Sequence, residues 1–323
     1  VTEIVAVDVG GTHARFALAK IGSGRVLSVG PECTLKTADY PGLEGAWAAF
    51  GATLGNRLPE AAAIALAAPL DGELVKVTNN DWVIDTYALP EALGVERYSL
   101  VNDFAAVAYA VAQLDDSFFR HLCGPERALP GNGVVSIVGP GTGLGVGQLL
   151  RRGGRDHVIA TEGGHIGFAP LDALEDRILG ALRNLHSRVS VERIVSGPGL
   201  ANLYRTLAAL EGRQAGFEDE KTLWSAAIGG EDDLAAAALD RFCLTLGAVA
   251  GDIALAHGAD AVVIGGGLGL RLADHLPRSG FAGRFTAKGR YAARMANLPV
   301  KIVTHKQPGL FGAAAAFAAE HRD

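Results

Sequence analysis

Two apolar runs, IVAVD at residues 4–8 and ARFALA at 14–19, flank the polar turn Val-Gly-Gly-Thr-His, and this pattern predicts strand, tight turn, strand. Weaker strand signals follow at 26–29 and 33–37, then a helical rhythm over 43–54. AAIALAAPL, ending at Pro69, is a short continuous run of small and apolar residues and predicts a buried strand. LVKVTNNDWVID, from Leu74, mixes strand with a polar turn. YSLVND predicts a strand stopping at two helix-capping residues, and FAAVAYAVAQL a helix beginning at Phe104. CGPERALPGNG, with its prolines and glycines, reads as a connection.

The opening pattern then recurs. VVSIVGPGTGLGVGQLL is again strand, glycine turn, strand, with a further strand near 157–160. Helices are expected at 172–184, 197–209, 220–228 and 232–257. ADAVVIGGG and VKIVTH (300–305) supply strands before an Ala-rich C-terminal helix. Strands first and helices later in each half describe an α/β protein with a duplicated core. The expected domains are a smaller α/β lobe over 1–115 and a larger one over 116–308, with the helix at 309–323 available to return to the smaller lobe.

Composition narrows this picture. At 323 residues two domains are the better expectation; 49% apolar and 20% charged residues suit a soluble globular protein. A net charge of −6 does not favour nucleic acid, and the densest basic cluster, Arg151, Arg152 and Arg155 around two glycines, reads as a hairpin tip. Cys33, Cys123 and Cys243 form neither a disulfide framework nor a metal spacing. Glu3 and Asp8 interrupt any leader-like segment, and only ten uncharged residues separate Arg241 from Asp252 in the longest apolar helix. The expectation is a cytoplasmic protein with no membrane and no nucleic-acid partner.

Candidate chemistry gathers at three glycine-rich turns that follow strands: Gly10-Gly11-Thr12, the turn around Gly141-Thr142-Gly143, and Gly265-Gly266-Gly267. Glycines let main-chain N–H groups approach phosphate, and a threonine hydroxyl adds a directed bond; each is also an ordinary turn taken singly. None is a Walker or Rossmann loop. Asp8 is either a turn-initiating residue or a carboxylate near phosphate with Mg²⁺ between them. Asn102-Asp103 is either a helix cap or a ligand-facing pair whose aspartate accepts a proton. ATEGGHIGFAP presents Glu162 and His165 beside glycines, which suits hydrogen bonding to a polyhydroxylated ligand. Glu192 compensates a helix dipole or joins them.

In order along nearly the whole chain, DVGGTHAR, TNNDW, NDF, GPGTGLG, EGGH, ERIVSGPGL, VVIGGG and PGLFGAAAA resemble the bacterial ATP-dependent glucokinases of the hexokinase–actin–Hsp70 fold superfamily. EGGH followed by ERIVSGPG is the most specific part. The resemblance implies a two-lobed actin-like ATPase fold, related to ribonuclease H, with a cleft between the lobes for sugar and ATP. It implies glucose 6-phosphorylation, with Asp103 as the base and Asn102, Glu162, His165 and Glu192 as sugar ligands. Asp8 matches the carboxylate near Mg²⁺. Gly10, Gly11 and Thr12 match the first phosphate loop, Gly141, Thr142 and Gly143 the second, and Gly266 and Gly267 the adenosine segment. A homodimer is implied by the same resemblance. His13 stands where many relatives carry asparagine, and Gly167 where aspartate is common. A kinase for another hexose and a catalytically silent sugar-responsive regulator are the alternatives.

Overall fold

The computed structural model describes residues 1–322, which divide into two compact units, Val1–Asp115 with the segment from His305 onward, and Asp116–Thr304. In the first unit β1 (Thr2–Val9) and β2 (His13–Gly22) form an antiparallel hairpin, extended by β3 (Arg25–Val29) and β4 (Cys33–Lys36), both paired with β2. After α1 (Leu43–Thr53), strand β5 (Ala61–Leu66) returns parallel to β1. A small ribbon, β6 (Leu74–Lys76) and β7 (Val83–Asp85), and α2 (Leu89–Leu93) precede β8 (Arg97–Asn102), which lies parallel to β5 and feeds α3 (Asp103–Gln113). Every residue of β5 is buried, as a central parallel strand covered on both faces requires.

The second unit repeats the plan. β9 (Phe119–Cys123) is an edge strand; β10 (Gly133–Pro140), β11 (Leu144–Arg152) and β12 (Arg155–Thr161) form an antiparallel meander. Helices α4 (Ala173–Arg183), α5 (Gly197–Leu210), α6 (Glu220–Gly229) and α7 (Asp233–His257) follow. β13 (Ala261–Ile264) then pairs parallel to β10. Three short helices, α8 (Gly266–Arg271), α9 (Phe281–Thr286) and α10 (Ala292–Ala296), lead to β14 (Val300–Val303), parallel to β13 and antiparallel to β9. The chain then rejoins the first unit as α11 (Pro308–Glu320), packed against α3 so closely that a Cβ at Gly312 would overlap the Ala106 carbonyl.

Both units hold mixed six-stranded sheets, ordered β3-β2-β1-β5-β8 with β4 also on β2, and β12-β11-β10-β13-β14-β9. Residues 11–19 and 141–149 share one alternation of buried and exposed positions. The duplicated core is therefore a matter of packing and not only of glycine spacing.

In the second unit α7 is long and apolar enough to cross a membrane by length and composition, but Leu239, Phe242, Cys243, Leu246 and Ala250 along it are fully buried in the core. Asp172 caps α4 through Glu175 N–H while the Glu175 carboxylate accepts Leu171 N–H, a reciprocal pair at one helix start. Arg241 of α7 and Arg284 of α9 both reach Asp172 at 2.5 Å and Glu175 at 3.3 and 3.2 Å. This four-residue network staples three helices together.

The chief differences from the sequence reading are local. Cys123 closes strand β9 rather than opening the connection, because FRHLC pairs as an edge strand and carries too little alternation to announce itself. Three short helices occupy the stretch between β13 and β14, and α3 begins at Asp103.

Candidate active site

In the first unit, parallel register sets Val9 level with Leu66 and Leu66 level with Asn102. The ends of β1 and β8 thus share the carboxyl edge of one sheet, the edge where α/β proteins bind ligands. Asp8 lies one residue before the end of β1. Cross-strand pairing brings Arg15 opposite it, at 3.4 Å, and Arg15 also meets Glu32 at 3.4 Å. Gln307, at the start of α11, donates to Glu32 at 2.6 Å. Burial pushes the Asp8 carboxyl above the ordinary carboxylate range, with Arg15 working against that shift.

The turn after Asp8 is held from both sides. Gly10 N–H donates to His13 O, Thr37 Oγ1 to Gly11 O and Thr37 N–H to Thr12 O. A Cβ on Gly11 would stand 3.0 Å from Thr78 O and 3.1 Å from Asn79, so the TNNDW segment packs on this turn. Thr12 Oγ1 and His13 Nδ1 lie 3.0 Å apart, so the histidine engages the threonine hydroxyl directly.

Asn102 is the helix cap: its Oδ1 accepts Phe104 and Ala105 N–H at 2.9 and 3.1 Å, and its Nδ2 donates to Ala68 O at 3.1 Å. One amide hydrogen is left over from those bonds. Asp103 is the first helical residue, and its Oδ1 accepts Phe104 N–H at 2.8 Å. Asn102 is thus the cap, and Asp103 shares the Phe104 N–H with it.

In the second unit the glycine turn between β10 and β11 is bonded internally, Gly141 N–H to Gly143 O, and externally, Gly197 N–H to Gly141 O at 2.7 Å. Gly266, at φ +73°, sits against the end of β10, where a Cβ would overlap Pro140 O; only glycine fits that backbone and that space. Gly267 beside it faces open space. The second and third glycine turns thus adjoin one another.

Glu162 follows β12, and a three-residue 3₁₀ turn carries His165; their side chains are exposed, 3.8 Å apart. Gly163 rests on Val146 and Gly164 on the Leu144 carbonyl, which is why this turn tolerates no side chains there. Val191 N–H donates to Ile166 O and Phe168 N–H to Val189 O, with a bridge between Gly167 and Ser190. Arg188 donates to His165 O at 2.6 Å. These bonds hold the His165 and Glu192 segments side by side despite Gly167. Glu192 Oε2 accepts Leu144 N–H at 2.9 Å, linking it to the glycine turn.

The residues expected from sequence thus fall into two sets: Asp8, Gly10, Gly11, Thr12, Asn102 and Asp103 in the first unit, and Gly141, Thr142, Gly143, Glu162, His165, Glu192, Gly266 and Gly267 in the second. Sequence reasoning missed Glu32 and Gln307 behind Arg15; it picked out the TNNDW stretch without assigning it a contact, and there the buried Nδ2 of Asn80 has no hydrogen-bond partner. Arg15 was within reach, since pairing the two expected strands puts it opposite Asp8.

Among the described residues no three His, Cys, Asp or Glu side chains converge as a metal cage. Mg²⁺ needs none, because it keeps several waters and takes one or two carboxylates beside phosphate. A carboxylate at the end of a strand, followed by a glycine turn of main-chain N–H groups, fits that requirement.

A glucokinase family profile matches residues 5–320. The glucokinase of Zymomonas mobilis is 58% identical over 321 residues, 99% of both chains. Among solved structures, a glucokinase from an Antarctic psychrotroph superposes with a TM-score of 0.83 at 34% identity, covering 98% of each chain. A ROK-family glucokinase from Streptomyces griseus, in complex with glucose and AMPPNP, shares the fold with a TM-score of 0.63 at 23% identity over 97% of this chain and 98% of its own.

Proposed function

The chain belongs to the glucokinase family of ATP-dependent hexose kinases, and on that premise we propose that it transfers the γ-phosphoryl group of ATP to the 6-hydroxyl of glucose. The observation that carries this reading is the 58% identity to a glucokinase over 99% of both chains. In the proposed reaction an Asp103 carboxylate oxygen accepts the proton of the 6-hydroxyl. The oxygen's electron pair forms the new bond to the γ-phosphorus as the bond to the β-phosphate bridge breaks, giving glucose 6-phosphate and ADP.

The remaining residues bind and orient. The spare amide hydrogen of Asn102, the exposed Glu162 and His165, and the second oxygen of Glu192 supply donors and acceptors for sugar hydroxyls. A site that pairs each hydroxyl rejects analogues that leave a buried group unpaired. Main-chain N–H groups of the turns at 10–12 and 141–143 donate to phosphate oxygens, and the turn at 266–267 takes the adenosine. Asp8 would hold Mg²⁺, through water or directly, and the ion would supply charge neutralisation for the phosphates. A homodimer completes the reading.

The test is a coupled ATP-consumption assay over a panel of hexoses, run beside Asp103→Ala. Glucose-dependent turnover should fall by about 10²–10⁴-fold in the variant while glucose binding persists. Faster turnover of another hexose would replace the substrate, and glucose binding without turnover in the parent would leave a regulator.

A further inference from the structure

The Glu192 carboxylate serves two segments at once. Its Oε2 takes the Leu144 N–H at 2.9 Å, immediately after the glycine turn. At Gly143 the three nearest atoms to an added Cβ all belong to Glu192: it would overlap Oε2, with Cδ at 3.2 Å. Gly143 does not have the positive φ that calls for glycine, so its missing side chain answers to the carboxylate. Gly141, two residues earlier, would meet nothing within 4 Å.

The backbone around Glu192 grips the same turn, with Gly197 N–H on Gly141 O at 2.7 Å and Ser196 Oγ donating to Glu192 O at 2.7 Å. The segment cannot shift without moving the turn.

We propose that Glu192 couples the sugar to the nucleotide: one carboxylate oxygen holds the phosphate turn at 141–143, the other holds the sugar, and Gly143 is glycine to leave the carboxylate that place. This rests on the reading that Glu192 binds sugar and that the turn binds phosphate. A hydroxyl bonded to one oxygen fixes the carboxylate for the N–H on the other, and binding linkage makes the effect reciprocal. A substitution on the phosphate side therefore damages sugar binding even where no nucleotide is present.

Calorimetric titration of glucose into nucleotide-free protein tests this in the parent, Gly143→Ala, Glu192→Ala and the double variant. Gly143→Ala should weaken glucose by about tenfold, yet cost nothing further in the Glu192→Ala background, because residues acting through one contact are not additive. Glu192→Ala should in turn weaken a non-hydrolysable ATP analogue measured without glucose. Unchanged glucose affinity in Gly143→Ala, or losses that simply add, overturn the coupling. If Gly143→Ala fails to fold, a folded double variant upholds the contact and an unfolded one overturns it. A parent that neither binds nor turns over glucose removes the kinase reading and the coupling with it. A parent that turns glucose over beside a silent Gly143→Ala removes the coupling alone.

Discussion

Gly309, in the first turn of α11, lies against the Asp8 carboxylate: a methyl group there would stand 2.5 Å from Oδ2 and 2.6 Å from Cγ. The N-terminus of a thirteen-residue helix thus abuts a partly buried carboxylate, an arrangement that favours the charged form and opposes the effect of burial. Arg15 holds the carboxylate from the opposite strand. Gly309→Ala should displace Asp8 by tenths of an ångström or more, and misplacement by about 1 Å costs up to about 10²-fold in rate. A magnesium titration of the steady-state rate measures it; the expected result is lowered turnover with a raised magnesium requirement and an unchanged KM for glucose.

A second expectation concerns the network on α4. Glu175 has a buried carboxylate between the guanidinium groups of Arg241 and Arg284. Glu175→Ala removes the partner and leaves two partly buried cations sharing Asp172. The expected loss is about 2–4 kcal/mol, read by urea unfolding. Replacing Glu175 and both arginines together by apolar residues of similar volume should recover much of that loss, because only the partly exposed charge of Asp172, still bonded to Glu175 N–H as the helix cap, then remains.

Stability should also fall on mild acidification through His257, whose Nδ1 lies 2.9 Å from the buried Ser136 Oγ. Burial holds its pKa below the ordinary value of about 6.5. Below that ordinary value the unfolded chain takes up a proton that the folded chain resists, so stability decreases as pH falls through this window and is fully present above it. Thermal unfolding followed from pH 7.5 to 5 should show the decline, and His257→Gln should lessen it, the remainder belonging to His275 and His305, whose pKa values burial lowers as well.

The cysteines give a chemical check on the packing. Burial raises the Cys243 thiol to about 12 and that of Cys123 to about 11, and the thiolate is the reactive form. Iodoacetamide at pH 7.5 should leave Cys243 untouched and modify Cys123 slowly, with Cys33 on β4 taking the label first. Full labelling of all three should appear only on unfolding. Rapid labelling of Cys243 in native protein would contradict the core described for α7.

The repeated strand, turn and strand units were legible from sequence because each depends on neighbours within twenty residues. So were α7 and α11, whose apolar positions leave no other reading. Asn102 and Asp103 were ambiguous for a physical reason: both residue types cap helices, and it is the donation of two N–H groups, Phe104 and Ala105, to Asn102 Oδ1 that assigns the cap. Glu192 looked like dipole compensation, but its carboxylate reaches Leu144, forty-eight positions away, and no local pattern encodes such a bond. The same holds for Gln307 and Glu32, brought behind Arg15 from opposite ends of the chain. Edge strand β9 was lost because its pairing partner lies far downstream.

The return of α11 to the first unit has a consequence for biosynthesis. A ribosome delivers the second unit whole, as one uninterrupted stretch, while the first unit still lacks the helix that covers α3 and borders β1 and β5. The unit begun first is therefore finished last. Until Gly312 settles against Ala106, the apolar face of α3 awaits its cover, and transiently exposed apolar surface of that kind is what makes folding chains prone to aggregate.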